Sequence, residues 1–177
     1  VRFLNGVFRN KHGVTVVAAA VGGESGRARL AISRRHPTVS SLSETWIDRV
    51  RRSPGFEKVR WNRQVVVAVT TLDELIATFG LPDFAKIDVE GHEPEVLSGL
   101  SQPIRLIAFE YLPAALDLAH QCVARLEQLG RYEYNLSIGE RHRFEFETWV
   151  GAAELVELLP EISIDGRSGD VYARLTG

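Results

Sequence analysis

An α/β fold built on an open, mostly parallel sheet is what this sequence predicts, and three observations carry it. Apolar runs of strand length alternate along the chain with stretches of helical periodicity. Glycine, proline and other turn residues separate these segments at short intervals, and no stretch has the composition of a linker or shows a repeat. The 177 residues are 45% hydrophobic, 25% charged and 8% aromatic, an ordinary globular composition. At this length folding buries roughly 70% of the surface of the unfolded chain, so a single core needs no staple. One domain over residues 1–177 is expected.

The chain opens with Phe3, Leu4, Val7 and Phe8 at helical spacing, and Gly13 after a Lys-His pair has the signature of a helix end. Val14 to Val21 is a continuous run of β-branched and small apolar residues stopped by Gly22-Gly23, which predicts a strand buried on both faces. Ala28, Leu30 and Ile32 alternate with Arg27, Arg29 and Ala31 as in a half-exposed strand. From Ser33 to Arg63 the periodicity weakens. His36-Pro37, Ser40-Ser41, Pro54-Gly55, two tryptophans and a basic cluster mark residues 33–63 as a variable insertion. Gln64 to Val69 is again a strand, and Thr71 with Glu74 supplies a capping box for a helix over Leu72 to Phe79 that Gly80 ends.

The next unit repeats that logic: a strand over Phe84 to Val89, a turn at Gly91, and a helix from Pro94 to Leu100 with proline in its first turn. Ile104 to Phe109 is a further strand, followed by a helix over Pro113 to Leu129 with Leu116, Ala119, Val123 and Leu126 on one face. Tyr132 to Ile138 and Phe144 to Phe146 read as strands, Ala152 to Leu159 as a helix, and Asp170 to Leu175 as a last strand after the Asp165-Gly166 turn.

Charge removes several function classes. Lys and Arg total 21 against 23 Asp and Glu, a net charge of -2, so no global field attracts nucleic acid or an anionic membrane, and neither is an expected partner. The single cysteine, Cys122, lies on an amphipathic helix as a core residue, which suits a reducing cytoplasm. No apolar run approaches the roughly 20 residues of a membrane span, and Val1 to His12 lacks the apolar centre of a signal peptide. With 18 arginines to 3 lysines and abundant alanine, the usage fits a GC-rich bacterial genome. There is no methionine, so a chain beginning at Val1 predicts a true start upstream.

In open α/β sheets ligands bind beyond the carboxyl ends of the parallel strands, and two such ends stand out. Lys86, Asp88 and Glu90 share one side of a strand at period 2, and an apolar strand ends in Glu110. Carboxylates at the end of a buried strand require a partner such as a cofactor, a substrate hydroxyl or a cation. If the strands are neighbours, Asp88 and Glu110 face one crevice. The bland alternatives are an ion pair with Lys86 or a cap for the helix near Pro94. His92 titrates near neutrality and can serve as a general base, or as a plain turn residue. Asp88, Glu90, His92 and Glu93 include metal-ligand types, but their spacing matches no metal-binding helix and no metal is expected. Gly22 to Gly26 reads as a turn, because it precedes a strand and lacks the dinucleotide fingerprint. Arg141-His142-Arg143 reads as a solvated basic loop, and Trp46 and Trp61 as packing residues before lid residues.

The stretch TLDELIATFGLPDFAKIDVEGHEPEVLSGL, from Thr71 to Leu100, resembles the signature region of the FkbM-type methyltransferases. The likeness extends to VTVVAAAVGGESGRARL, Ser40-Ser41-Leu42, Gln64 to Val69, Phe109-Glu110 and the terminal GDVYARL, and so covers nearly the whole chain. The resemblance implies a Rossmann-like class I methyltransferase sheet, mostly parallel with an antiparallel C-terminal strand. It implies S-adenosylmethionine as cofactor and transfer of a methyl group to a hydroxyl of a sugar, polyketide or other small molecule. Val14 to Val21 would be the third strand, KIDVEG the fourth and IRLIAFE the fifth. Ala19 and Ala20 would lie against the adenine and Asp88 under the methyl-transfer centre, with Asp88 or His92 taking the acceptor's proton and Glu90 or Glu110 positioning it. Counterparts of the first strand with its glycine-rich loop, and of the second strand with its ribose-binding acid, are missing. The resemblance therefore implies a sheet lacking its first two strands, poor cofactor binding and inactivity for this chain alone. The competing reading is a non-catalytic α/β domain that binds a ligand or partner.

Overall fold

Capping and burial decide the central elements of the computed structural model, which describes residues 2–9, 11–139, 141 and 143–176. The Thr71 hydroxyl accepts the Glu74 N–H while the Glu74 carboxylate accepts the Thr71 N–H, and the helix they start runs Leu72–Phe79 and stops at Gly80 with φ 90°. In chain order the elements are α1 (Arg2–Phe8), β1 (Ala20–Val21), β2 (Gly26–Ser33), α2 (Glu44–Val50), β3 (Trp61–Thr70), α3 (Leu72–Phe79) and β4 (Phe84–Ile87). They continue with α4 (Glu93–Ser98), β5 (Leu106–Tyr111), α5 (Leu116–Leu129), β6 (Tyr132–Ile138), α6 (Ala152–Ile162) and β7 (Gly169–Leu175).

The expected single open sheet is two sheets. The first has the order β1-β3-β2, with β1 parallel to β3 and β2 antiparallel to it from Gly26↔Val69 to Ser33↔Trp61. The second has the order β4-β5-β7-β6. There β4 runs parallel to β5, β7 runs antiparallel to β5, and β6 pairs antiparallel with β7, so the C-terminal strand alone is reversed. Cross-strand partners share a face. One face therefore presents Ile107, Phe109, Val171, Ala173, Tyr134 and Leu136, all fully buried under α5 and α6. The other face carries two polar rows, Lys86-Ala108-Tyr172-Asn135 and Glu110-Asp170-Ser137. On α5, Ala119, Cys122, Val123 and Leu126 are buried.

Two predicted strands do not form over the residues expected. Of Val14 to Val21 only Ala20 and Val21 pair, and Val14 and Val17 are exposed. A buried parallel strand needs a neighbour on each edge. Here β3 borders one edge alone, and the apolar side chains open onto a groove of about 400 Å³ lined by Val17, Leu72, Leu75, Phe79 and Pro82. Phe144 to Phe146 is held by one backbone bond, from the Glu145 N–H to the Leu136 carbonyl at 2.9 Å, and by a side chain. Asn135 donates from Nδ2 to the Phe146 carbonyl at 2.9 Å and accepts the Phe146 N–H at 3.1 Å, taking the place of a ladder pair. Residues 33–63 contain more order than their pattern predicts, since Ser43 caps α2 and Trp46, Ile47 and Val50 are buried with Ala31 and Ala115 in a second small core.

These differences in burial predict unequal mutational costs. Leu126→Ala, at a fully buried position, is expected to lose about 2–5 kcal/mol in urea denaturation, against less than about 0.5 kcal/mol for Val17→Ala. A comparable loss at both positions would restore the buried strand.

Candidate active site

The site is set by the way the chain leaves β4. Five residues, Asp88 to His92, separate the end of β4 at Ile87 from the start of α4 at Glu93. A reversal that tight requires positive φ, found at Glu90 (56°) and Gly91 (81°). Glu93 lies only 3% exposed in the first turn of α4, and its Oε1 accepts the N–H groups of Val89 and Gly91, each at 3.2 Å. From the other side Gly91 lies against Trp46 so closely that a Cβ there would fall within the indole side chain.

This turn brings together three of the residues predicted from sequence. Asp88, Glu90 and Glu110 each place a carboxyl oxygen within 4.8 Å of the others. Lys86, on the same face, forms an ion pair with Asp170 and lies 3.9 Å from Asp88. Burial, with Asp88 and Glu93 adding repulsion, pushes Glu90 up to about 7. Burial again, then Glu90, Asp88 and Glu93, pushes Glu110 up to about 8 against the opposing pull of Lys86. For Lys86 burial works against the charge, but Asp170, Asp88 and Glu110 outweigh it and the ammonium is held above its ordinary value. Three carboxylates are the donor type that hard divalent cations take.

His92 is not part of that trio. Its Nδ1 lies 3.6 Å from Glu95 Oε2, one turn on. Its Nε2 side approaches Gly22, where an added Cβ would sit 3.5 Å away. Burial lowers the imidazole below its ordinary value despite Glu95, so the ring is neutral at physiological pH and able to accept a proton. The ring opens onto a cleft of about 420 Å³ between Gly22 to Ala28, Leu42, Val69 and Glu95. Half-buried Ala19 and Ala20 lead into the cleft wall at Gly22.

Neither Asp88 nor Glu90 caps α4, whose cap residue His92 makes no side-chain bond to it. The alternative of pairing with Lys86 holds weakly for Asp88, while the closer partner, Asp170, escaped notice because it is 84 positions away. Sequence reading also missed Ser41, Glu93 as an amide acceptor, and Glu95. Only Glu95, three residues after His92 near a helix start, left a local signal. Trp46 packs edge-on to Phe56 and Trp61 with ring centroids at 5.8 and 6.2 Å, a core residue and no lid. Cys122 is buried, as expected. Of the basic loop, His142 lies outside the described residues. No helix among the described residues is long and apolar enough to cross a membrane.

The raised carboxyls give stability a defined pH slope. A carboxyl whose folded-state value exceeds its unfolded one contributes fully below about 4.5, and that stability is lost as pH rises through about 7 for Glu90 and about 8 for Glu110. His92 acts in the opposite sense, but only below about pH 6.5. Between about pH 6.5 and 8.5 the unfolding free energy is therefore expected to fall, and Glu110→Gln to flatten the fall. An unchanged slope in that variant would sink the assignment.

The model of the methyltransferase FkbM domain matches residues 7–162. No curated protein and no solved structure matches the chain. The matched region contains α2 through α5, the carboxyl trio, His92 and its cleft. The chain belongs to the FkbM methyltransferase-domain family.

Proposed function

We propose that this chain carries the acceptor-activating side of an S-adenosylmethionine-dependent O-methyltransferase, acting on a hydroxyl of a sugar, polyketide or other small molecule. The observation that carries the reading is the convergence of Asp88, Glu90 and Glu110 at the carboxyl ends of adjacent parallel strands. The order β4-β5-β7-β6 with β7 reversed supports a Rossmann-like sheet, in which β4 to β7 would correspond to the fourth to seventh strands and β1, in the other sheet, to the third. Among the described residues no strand answers to the first two.

The residues present fit a cationic nucleoside donor. Asp88, with the partly ionised Glu90 and Glu110 beside it, complements a sulfonium, and the cleft beside Gly22 encloses about 420 Å³. Ala19 and Ala20 would hold its adenine side and Asp88 its sulfonium side. When bound, S-adenosylmethionine supplies an electrophilic methyl group. The chain's own residues supply alignment, a proton acceptor and exclusion of water. Neutral His92, oriented by Glu95, takes the proton of the acceptor hydroxyl as it becomes a nucleophile. Glu90 and Glu110 hold that oxygen, since carboxyls near 7 and 8 are partly protonated and both donate and accept hydrogen bonds at neutral pH. Trp46 and Gly91 close the turn beneath them against solvent.

Transfer of labelled methyl from S-adenosylmethionine to a panel of glycosides and polyketide alcohols, by a protein that carries this chain together with the first two strands and their cofactor loop, tests this reading. Asp88→Asn and His92→Gln are each expected to lower the rate roughly 100-fold. A rate within a few-fold of the parent for Asp88→Asn removes Asp88 from the mechanism. Labelling of nitrogen or carbon acceptors alone overturns the O-methyl assignment.

A further inference from the structure

The turn that aims Glu90 is gripped from outside the strand and helix it joins. Among the described residues Glu90 is the one non-glycine with positive φ, a conformation that neighbours must impose on a glutamate. Its carbonyl accepts a hydrogen bond from Ser41 Oγ at 2.6 Å, across 49 positions of sequence. The same Ser41 oxygen accepts the Ser43 N–H at 2.9 Å, so its single proton is committed to Glu90. Ser41 itself is 1% exposed, and its backbone exchanges two hydrogen bonds with Ala31 of β2 at 2.9 and 3.0 Å. Ser43 in turn caps α2, which carries Trp46 under Gly91. A continuous set of rigid links therefore runs from β2 through Ser41 to the Glu90 peptide.

We propose that Ser41 is a positioning residue of the active site: its hydroxyl holds the Glu90 peptide in the left-handed turn that aims the Glu90 carboxyl at those of Asp88 and Glu110. The consequence for activity rests on the function proposed above, because Glu90 matters to catalysis only if it meets the acceptor. The positional claim does not. Residues 33–63 thereby form part of the scaffold of the site as well as one wall of its cleft, through Leu42.

The environment of the Glu90 carboxyl is the readout, since Asp88, Glu93 and Glu110 face it and burial raises it to about 7. Carbon-detected NMR titration of the full chain, with no methyl donor or acceptor present, compares the parent with Ser41→Ala, Ser41→Thr and Ser163→Ala. Ser163→Ala removes a similar buried hydroxyl bond, to the Leu159 carbonyl at 2.7 Å. Ser41→Ala is expected to move the Glu90 midpoint down by one unit or more, Ser41→Thr to restore it, and Ser163→Ala to lower stability and leave it in place. A Glu90 midpoint within 0.3 of a unit of the parent in Ser41→Ala overturns the proposal, as does an equal movement in Ser163→Ala. If Ser41→Ala does not fold, Ser41→Cys, with a weaker donor of similar size, is read by the same criteria. Failure of methyl transfer leaves this result standing, and the reverse holds equally.

Discussion

The passage from β4 to α4 is the constraint on which the candidate site depends. A parallel strand must hand the chain to a helix within five residues, and the buried carboxylate of Glu93 makes this possible by accepting two amides that the turn leaves without ladder partners. With those amides satisfied, Glu90 and Gly91 adopt the left-handed region and the three acidic side chains converge. Burying Glu93 among other acids is unfavourable, and burial raises its proton affinity against the amide bonds that lower it. The amide bonds and the close packing of Gly91 on Trp46 are what offset that cost.

Polarity is partitioned across the second sheet. One face is apolar and closed by α5 and α6. The opposite face carries Lys86, Glu110, Asp170, Asn135 and Ser137, so the charged groups gather at its carboxyl end without entering the core. Lys86 sits among these acids as a shared counterion, paired most closely with Asp170 and more distantly with Asp88. Burial, with this crowding of charge added to it, raises Glu90 to about 7 and Glu110 to about 8.

What the sequence made legible was whatever its local signals specify. Thr71 and Glu74 define α3 to the residue, the periodicity of Ala119, Val123 and Leu126 marks the buried side of α5, and Tyr132–Ile138 stands as read. Strand-end logic also brought Asp88 and Glu110 to one crevice. The failures share a cause. Val14 to Val21 has the composition of a central strand, but pairing depends on a second neighbouring edge, which composition does not encode. Phe144 to Phe146 has strand-like residues, but an asparagine side chain takes both backbone groups of Phe146. Ser41 and Asp170 act on residues 49 and 84 positions distant, where periodicity carries no information.

Position 91 also defines where this protein is open to redesign. Because a side chain there would occupy the space of Trp46, the turn and the helix beneath it form one interlocked unit. Arg34, Arg35 and His36 are exposed on the same stretch, as are Arg51 and Arg52. Substitutions meant to leave the turn intact belong at those exposed positions. Ser41, Ser43 and Trp46 travel with the turn as a single graft.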